Sequence, residues 1–450
     1  MGREVYVVGG YVRDLLLQRP SKDIDLVTVG SGIELAKAVA AGLGPKVNLS
    51  VYANYGTAQV KAPHVELEFV GARKESYRRE SRNPIVEDGT LDDDMCRRDF
   101  TVNAMAICLN KDRFGELVDP FGGLADMKRR TLVTPLAPEQ TFSDDPLRMM
   151  RAIRFATQLN FYIAPVTFKA ISAQRERISI ITKERINDEL SKIIRSPRPS
   201  IGFKLLDMCG LLEIIFPELA ALKGVESKEG RGHKDNFLHT LQVLDNVAAR
   251  SDDEWLRWAA LLHDIAKPVV KRYDPQLGWT FHNHNFIGER MIPKIFRKMK
   301  LPMNEKMKFV AKMVGLHMRP QSVADAGVTD SGVRRLITDA GDDLEKLMIL
   351  CEADITSKIP EKVRRQLKGF ADLRERIAQV NDADEYRNWK NPINGKEIMD
   401  LLHIPPGPRI AELKDAVKEA ILDCRVENNH DAAWEFLLTQ LSDEERALVK

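Results

Sequence analysis

The stretch Val7–Leu26, VVGGYVRDLLLQRPSKDIDL, determines how the amino-terminal part of the chain folds. A β-type run at Val5–Val8 enters a Gly9–Gly10 turn, Val12–Leu17 has the composition of one or two helical turns, and a second strand is predicted at Asp23–Val29. Because glycine lacks a Cβ atom, the backbone N–H groups of the turn can approach a phosphate closely. The opening therefore predicts a phosphate-binding turn between two strands.

Charged side chains flank this turn in positions that suit a bound nucleotide. Arg13 lies in the first helical turn, where its guanidinium can bind phosphate oxygens. Asp23 and Asp25 alternate along the second strand, so both carboxylates face the same way. Two carboxylates beside a phosphate-binding turn are the ligands that Mg²⁺ needs when it is shared with a triphosphate. A glycine turn or an Asp-x-Asp pair alone is usually structural, but their order and tight spacing indicate nucleotidyl transfer.

The sequence GGxVRD followed by DxD resembles the opening signature of the class II polymerase-β-like nucleotidyltransferases. That family comprises the CCA-adding tRNA nucleotidyltransferases and the bacterial poly(A) polymerases. The resemblance implies that Asp23 and Asp25 are catalytic and bind Mg²⁺, and that Gly9, Gly10 and Arg13 bind the nucleotide.

Composition sets the class of protein. The chain has 450 residues, 44% of them hydrophobic and 30% charged, which is typical of a soluble globular protein of roughly three or four domains. The 68 basic and 66 acidic residues nearly cancel, so any nucleic-acid surface must be a local patch. Five scattered cysteines without a CxxC pair, no leader-like start and no apolar run of membrane-spanning length predict a cytoplasmic protein without membrane contact.

The rest of the first segment supplies a third acidic candidate. Alternation over His64–Val70 puts Glu66 and Glu68 on one face of a strand, and either could be a third active-site carboxylate. Glu68 fits the family better by its position relative to Arg73, and it is therefore the third catalytic candidate. Lys74–Met95 is rich in charge with little periodicity, and we predict a long functional loop there.

Two later motifs extend the resemblance. Arg97–Ala104 matches the RRDFTxNA motif of the family, and Asp119–Asp126 resembles its DPxxGxxD turn. Adjacent arginines with a partnering aspartate supply oriented donors for ribose and phosphate oxygens. By resemblance, the nucleotide-binding residues of the first motif are Arg98, Asp99 and Asn103.

Asp144–Phe155 carries arginines at i, i+3 and i+6, close enough to share one helix face. Such a stripe is usually solvated, but here it matches the EDxxRxxRxxRF motif of the family, with Asp144 in place of Glu. The resemblance assigns Asp145 and Arg148 to base selection, and Arg151 and Arg154 to the phosphates. A carboxylate can accept from the exocyclic amine that cytosine and adenine share, while a guanidinium donates to the neighbouring ring acceptor.

Beyond a helical stretch at 161–222 and a linker predicted at Gly224–Gly232, six of the nine histidines fall between His233 and His317. Imidazoles and carboxylates are common ligands of the metal pair of a phosphohydrolase. The ordered series resembles the HD superfamily, which maps His239, His263, Asp264 and Asp354 onto a first metal. His284 and His317 map onto a second metal, with His282 as a weaker alternative to His284.

The implied fold class is α+β: a small polymerase-β-like nucleotidyltransferase head, a mixed sheet with helices, followed by a largely α-helical neck, an HD domain and a helical tail. The expected segments are a head at 1–136, a neck at 137–228, an HD domain at 229–360 and a tail at 361–450 expected to contact tRNA. Met291–Arg319 carries eight basic residues and a single acid, Glu305, so RNA contact there is as plausible as a solvated face.

The sequence as a whole predicts an enzyme that adds CCA to the 3′ end of tRNA from CTP and ATP. The head is expected to use Mg²⁺, and the HD site a transition metal such as Ni²⁺, Mn²⁺ or Co²⁺. Two alternatives are an A-adding or poly(A) polymerase, since the head motifs are shared, and an HD phosphohydrolase with a nucleotide-binding head. The oligomeric state is left open.

Overall fold

The computed structural model describes residues 2–448 apart from 22, 64, 79–80, 226, 229–230, 233–234, 326, 328, 358, 381–390 and 424. The chain divides into two compact units. The first contains residues 1–225 together with 295–302, and the second contains 226–294 together with 303–450. The finer division into head, neck, HD domain and tail stays a prediction.

The first unit opens with a mixed sheet and short helices. Its strands are β1 (Val5–Val8), β2 (Asp23–Thr28), β3 (Asn48–Tyr52), β4 (Thr57–Ala62), β5 (Val65–Gly71), β6 (Arg73–Arg78), β7 (Ser81–Asp88), β8 (Ala106–Cys108) and β9 (Leu117–Val118). Its helices are α1 (Gly10–Leu16), α2 (Gly32–Leu43), α3 (Leu91–Cys96) and α4 (Gly123–Lys128). The two strands and the helix predicted around the glycine turn are confirmed.

Seven of these strands form one sheet in the order β3-β4-β5-β2-β1-β8-β9. Strands β2 and β5 run parallel, whereas β1 runs antiparallel to β2. Val8, Val27 and Ala106 are buried on the sheet, and Met95 of α3 packs in the same cluster. The sheet thus fixes both sides of the glycine turn, because β1 ends at the turn and β2 carries the two aspartates.

The prediction of a loop at Lys74–Met95 was wrong. Strands β6 and β7 pair as an antiparallel hairpin, and α3 follows. A capping box between Thr90 and Asp93 begins that helix. Leu91 and Met95 are buried, so α3 is held by the head core. The sequence did not reveal these elements because four of the six residues of β6 are charged and the apolar residues of β7, Pro84 to Val86, are contiguous and do not alternate.

Helices dominate the remainder of the first unit. They are α5 (Pro138–Asp144), α6 (Leu147–Leu159), α7 (Pro165–Gln174), α8 (Lys183–Ile194), α9 (Ser200–Met208), α10 (Leu211–Ile215) and α11 (Pro217–Ala220), with the short parallel pair β10 (Thr131–Leu132) and β11 (Tyr162–Ile163). Helix α6 carries the arginine stripe, as predicted, and packs against α8 and α9.

The second unit is almost entirely helical. Its helices are α12 (Asn236–Ala248), α13 (Glu254–Leu262), α14 (Lys267–Val270), α15 (His284–Met299, whose last turn belongs to the first unit), α16 (Glu305–Leu316), α17 (Arg319–Asp325), α18 (Asp330–Ala340), α19 (Leu344–Ala353), α20 (Pro360–Val380), α21 (Gly395–Leu402), α22 (Pro408–Leu422), α23 (His430–Thr439) and α24 (Asp443–Leu448). Two small hairpins are formed by β12 (Ser227–Lys228) with β13 (Arg231–Gly232), and by β14 (Arg272–Asp274) with β15 (Gly278–Thr280). The first of these hairpins replaces part of the linker predicted at Gly224–Gly232.

The predicted fold class, a mixed-sheet head followed by helical segments, is confirmed. Among the residues described, no helix combines the length and the apolar character needed to cross a membrane.

Candidate active site and metal centre

The glycine turn is shaped by a close approach that only glycine allows. Gly9 has a φ of +74°, and a Cβ atom built on it would lie 2.7 Å from Nη1 of Arg98. The turn leads directly into α1, whose first residue is Gly10. The backbone of the turn therefore lies against a guanidinium and beside the carboxylate of Asp25, 3.6 Å from the same Cβ position.

The sheet register separates the two glutamate candidates. Asp25 pairs with Glu68 across the parallel strands β2 and β5, and Asp23 pairs with Glu66. Glu66 forms an ion pair with Lys61 at 2.6 Å and accepts a hydrogen bond from Gln59 at 3.2 Å. Glu68 instead lines the same cavity as Asp23 and Asp25.

The carboxylates form a site that favours a bound cation. Burial, with the Glu68 carboxylate beside it, raises the pKa of Asp25 to about 6, although the Arg98 guanidinium opposes the shift. A carboxylate with a raised pKa next to a second one is stabilised when a divalent ion replaces the proton, and oxygen-only ligands suit a hard cation. The donor set of Asp23, Asp25 and Glu68 thus fits the metal that the sequence predicts.

One cavity of about 590 Å³ collects every head and neck residue that the sequence predicted for catalysis or nucleotide binding. They are Gly9, Gly10, Arg13, Asp23, Asp25, Glu68, Arg98, Asp99, Asn103, Asp145, Arg148, Arg151 and Arg154. The wall also contains three arginines that the sequence reading did not single out for the site, namely Arg73, Arg97 and Arg185. Eight arginines and six carboxylates therefore line the cavity together, and this mixture of guanidinium and carboxylate groups suits a triphosphate bound with a divalent cation.

A buried hydrogen-bond chain joins the motifs. Arg13 donates from Nη1 to Oδ1 of Asn103 at 2.7 Å, and Asn103 donates from Nδ2 to Oδ1 of Asp99 at 2.9 Å. The other carboxylate oxygen of Asp99 accepts from Nε of Arg151 at 2.7 Å. Burial alone would raise the pKa of Asp99, but Arg151 and Asn103 outweigh it and hold the pKa at about 2. The chain keeps the guanidinium groups of Arg13 and Arg151 oriented before a nucleotide binds.

The residues assigned to base selection are anchored by the backbone. Oδ1 of Asp145 accepts from the Leu147 N–H at 3.1 Å, just before the start of α6. Arg148 donates from Nη2 to the backbone carbonyl of Arg97 at 2.6 Å. Both side chains are thereby fixed at the cavity wall, which is the condition for reading a base edge.

Arg154, like Arg151, is paired with a buried carboxylate. It donates from Nε to Glu189 of α8 at 2.5 Å, and its guanidinium lies 3.9 Å from the centre of the Phe155 ring. The buried Glu189 carboxylate thus already satisfies much of the charge predicted to hold a phosphate. Glu189 was missed because its partner lies 35 residues away, on a different helix.

The second unit brings the six predicted HD residues together. Potential ligand atoms fall into two groups, His239 with His263 and Asp354, and Asp264 with His284 and His317; within each group they lie within 4.8 Å of one another. His282 belongs to neither group among the described residues.

The Asp264 carboxylate faces both groups. Its Oδ2 lies 3.5 Å from Nε2 of His239 and 3.3 Å from Nε2 of His263. Its Oδ1 lies 3.3 Å from Nε2 of His284 and 4.0 Å from Nε2 of His317. Asp264 was predicted to serve the first metal together with His239, His263 and Asp354, whereas its position would let one oxygen contribute to each ligand group.

The imidazole tautomers fit metal binding. Nδ1 of His263, His284 and His317 contacts a backbone carbonyl at 2.7 to 2.8 Å, and a carbonyl only accepts, so each Nδ1 carries the proton. The Nε2 atoms of His284 and His317 are only 3.2 Å apart. Burial opposes protonation of His263, but the Asp264 and Asp354 carboxylates outweigh it and raise the pKa of that ring. Burial lowers the pKa of His317 to about 4 and also lowers that of His284, which keeps both rings neutral near pH 7. Converging neutral lone pairs repel each other unless a cation lies between them.

Comparison with known proteins identifies the families of the head and of the HD region. Family models match the poly(A) polymerase head domain at residues 5–133, the "Probable RNA and SrmB-binding site of polymerase A" at 160–223 and the HD domain at 236–359. An A-adding tRNA nucleotidyltransferase of Deinococcus radiodurans is 34% identical over 424 residues, which cover 92% of this chain and 90% of that protein. A multifunctional CCA protein of Shewanella frigidimarina is 34% identical over 307 residues, or 66% of this chain and 70% of that protein.

Solved structures extend the match to the fold. The CCA-adding enzyme of Bacillus stearothermophilus in complex with CTP aligns with a TM-score of 0.61 at 25% identity, covering 99% of this chain and 95% of that one. A tRNA nucleotidyltransferase complexed with a primer tRNA and an incoming ATP analog aligns with a TM-score of 0.59 at 26% identity, covering 85% of this chain and 98% of that one. Membership of the head and HD families implies dependence on divalent metal ions. On the identity and coverage of these relatives, the chain belongs to the family of tRNA nucleotidyltransferases with a poly(A) polymerase head domain, and it is a nucleotidyltransferase.

Proposed function

We propose that this enzyme adds C, C and A to the 3′ end of tRNA, using CTP and ATP. The observation that carries the proposal is one cavity lined by the three carboxylates of the metal site, by several arginines, and by Asp145 and Arg148. Relatives named for CCA addition and for A addition support tRNA as the acceptor.

Separate groups of residues in the cavity would hold the metal ion and the nucleotide. Asp23 and Asp25, with Glu68 beside Asp25, would hold Mg²⁺. When bound there, the ion would supply alignment of the RNA 3′-hydroxyl with the α-phosphate and charge stabilisation for the departing pyrophosphate. Arg13 and Arg151, held by Asn103 and Asp99, bind phosphate and ribose oxygens.

Base choice falls to Asp145 and Arg148. The free carboxylate edge of Asp145 accepts from the exocyclic amine of cytosine or adenine, and Arg148 donates to the neighbouring ring nitrogen. Uracil and guanine present the opposite donor and acceptor at these positions, and the same pair therefore rejects them.

A second candidate, addition of the terminal A alone, has an observation in its favour. The relative that matches 92% of this chain is named as an A-adding enzyme. One assay separates the candidates: the protein is given tRNA without CCA, or tRNA that ends in CC, with each labelled nucleotide, and the products are sequenced. CCA addition requires growth of both acceptors by the missing residues. Use of ATP on the CC-ended tRNA alone identifies an A-adding enzyme, and a long A tract identifies a poly(A) polymerase.

We further propose that the HD residues bind a pair of transition-metal ions, such as Ni²⁺, Mn²⁺ or Co²⁺, and hydrolyse phosphate esters. Support comes from the neutral imidazoles that turn their Nε2 atoms towards one another and from the Asp264 carboxylate between the two ligand groups. Such ions activate a bound water at neutral pH. A cytoplasmic location, expected from the scattered cysteines, stays a prediction.

A further inference from the structure

Asp94 is a buried carboxylate at the inner side of α3, one residue after the capping aspartate Asp93. Its side chain is fully buried, whereas that of Asp93 caps the helix at the surface. Burial raises the pKa of Asp94, but the guanidinium groups of Arg98 and Arg97 outweigh this and hold the pKa below its ordinary value. The helix start does not need Asp94, because Thr90 and Asp93 form the capping box.

Both oxygens of Asp94 are committed to the adjacent arginines. Oδ1 accepts from Nε of Arg97 at 2.9 Å, and Oδ2 accepts from Nε and Nη2 of Arg98 at 3.2 and 2.8 Å. The spacing is i, i+3 and i, i+4, so one carboxylate at the end of a short helix orients both guanidinium groups.

The two arginines contact different parts of the cavity lining. The nitrogen of Arg98 that does not contact Asp94, Nη1, lies against the Gly9 backbone beside Asp25 and donates to the carbonyl of Asn103 at 3.4 Å. Arg97 provides the carbonyl that receives the guanidinium of Arg148. Fixing the Arg97–Arg98 segment therefore fixes a charge next to the glycine turn and the donor assigned to base reading.

From this arrangement we infer that Asp94 is a positioning residue for nucleotidyl transfer, acting through Arg98 on the phosphate side and through the Arg97 carbonyl on Arg148. The inference rests on the proposed function. Without the Asp94 charge, Arg98 is free to move towards Asp25, a carboxylate that it already faces. Arg97 then keeps its contact with Glu75 at 3.1 Å but loses the second carboxylate that holds the backbone bound by Arg148.

The test compares Asp94→Asn with Asp93→Ala and Asp126→Asn. Asp93→Ala removes the helix cap, and Asp126→Asn changes another buried aspartate of the head, which accepts from Thr101 at 2.7 Å and pairs with Arg129. We expect Asp94→Asn to lower kcat/KM for the correct nucleotide about 10- to 100-fold and to narrow its preference over UTP and GTP. Both controls should lower the thermal midpoint without changing that preference.

Two further measurements keep the inference testable. Combining Asp94→Asn with Arg148→Ala should cost less discrimination than the sum of the two single losses, because both act on the same donor. Asp94→Glu retains the charge but displaces the carboxylate, so it tests positioning if Asp94→Asn fails to fold. An Asp94→Asn or a folded Asp94→Glu protein with wild-type kcat/KM and wild-type discrimination overturns the inference. If the wild-type protein itself adds no nucleotide, the proposed function is what fails.

Discussion

At the scale of single residues, two buried carboxylates beside the cavity each hold two neighbouring side chains by hydrogen bonds. Asp99 uses both oxygens to hold Asn103 and Arg151, and Asp94 does the same for Arg97 and Arg98. Buried carboxylates of this kind lose more on desolvation than they gain unless their hydrogen bonds are complete. Their value to the enzyme lies in holding arginines at fixed positions, which lowers the entropy lost when a triphosphate binds.

The pKa of Asp99 gives a prediction of stability against pH. Its folded-state pKa of about 2 lies below the ordinary 3.8, so its ionised form stabilises the fold above pH 4, and this contribution is lost as the pH falls through 4 towards 2. The shift corresponds to about 2 kcal/mol. Urea unfolding of the wild type and Asp99→Asn should show a difference in free energy that is constant from pH 5 to 7 and roughly halved in its pH-dependent part by pH 3. A difference that does not change with pH contradicts the assignment.

The two glutamates of β5 offer a matched pair. Glu68→Gln should reduce incorporation of CTP and ATP alike by at least about 10-fold, because Glu68 lies next to Asp25 in the sheet register. Glu66→Gln removes the same charge two residues earlier on β5, where the carboxylate pairs with Lys61. This variant should retain near wild-type activity. Single-turnover rates at saturating nucleotide and Mg²⁺ measure both. Equal losses in the two variants would show that the third carboxylate is misassigned.

At the scale of elements, the sequence predicted those strands and helices that apolar periodicity or a contiguous motif marks. The strand, glycine turn and second strand around Gly9 were predicted, and the arginine stripe of α6 lies on a helix as expected. The β6–β7 hairpin was missed because four of the six residues of β6 are charged and the apolar residues of β7 are contiguous and do not alternate. Leu91 and Met95 bury the following α3 in the head core. The contacts of Asp94 with Arg97 and Arg98 have i, i+3 and i, i+4 spacing. They could not be predicted from the sequence because α3 was not predicted to be a helix.

The basic stretch Met291–Arg319 is less available than its sequence indicates. Lys298 pairs with Glu218 at 2.7 Å, Lys312 with Asp343 at 2.9 Å and Arg319 with Asp339 at 3.0 Å. Lys308 pairs with Glu305 of the same helix. The number of basic residues in a stretch of sequence does not show which of them the fold pairs with acidic residues.

Exposed cations of this stretch therefore decide whether it binds RNA. If the end of α15 contacts tRNA phosphates, Arg297→Ala and Lys300→Ala should each weaken binding and reduce the slope of log Kd against log salt by about 1. Lys312→Ala removes the same charge from a lysine already bound to Asp343 and should leave the slope unchanged. Filter binding of tRNA at several salt concentrations makes the comparison. Unchanged slopes in all three variants would mean a solvated face.

At the scale of the whole molecule, charge is distributed unevenly along the chain. Residues 391–450 contain 12 acidic and 7 basic side chains, and helices α21 to α23 bury their own apolar core. The predicted tail as a whole, 361–450, contains 18 acidic and 15 basic residues, and its part in α20, 361–380, contains six basic and three acidic residues. Contact of the tail with tRNA stays a prediction, and α20 is the part of the tail whose charge favours phosphate. In contrast, residues 160–223 contain 10 basic and 7 acidic residues. That segment is the more suitable part of the chain for the acceptor RNA.

The two predicted metal centres should act as separate enzymes on one chain, because their ligand sets differ in kind. The head offers carboxylate oxygens, which select Mg²⁺, whereas the HD residues offer four imidazoles and two carboxylates, which select transition metals. We expect Ni²⁺, Mn²⁺ or Co²⁺ to stimulate hydrolysis of a generic phosphodiester by the wild-type protein. His263→Ala combined with Asp264→Ala should abolish that hydrolysis and spare nucleotide addition in Mg²⁺, since neither side chain lines the head cavity.

Asp25→Ala is the reciprocal variant of this comparison. It should abolish addition of CTP and ATP and leave metal-stimulated hydrolysis at the wild-type rate, because Asp25 lies in the sheet of the first unit and contributes no ligand to either HD group. Metal content measured after loading and gel filtration gives a readout that does not depend on turnover: the HD double variant should lose tightly bound Ni²⁺ and Asp25→Ala should retain it. If the wild-type protein loaded with Ni²⁺, Mn²⁺ or Co²⁺ hydrolyses neither a phosphodiester nor a phosphomonoester, the HD site is structural. Loss of nucleotide addition in the folded HD double variant would instead show that the HD domain supports tRNA docking, and the two centres would then depend on each other through the bound tRNA.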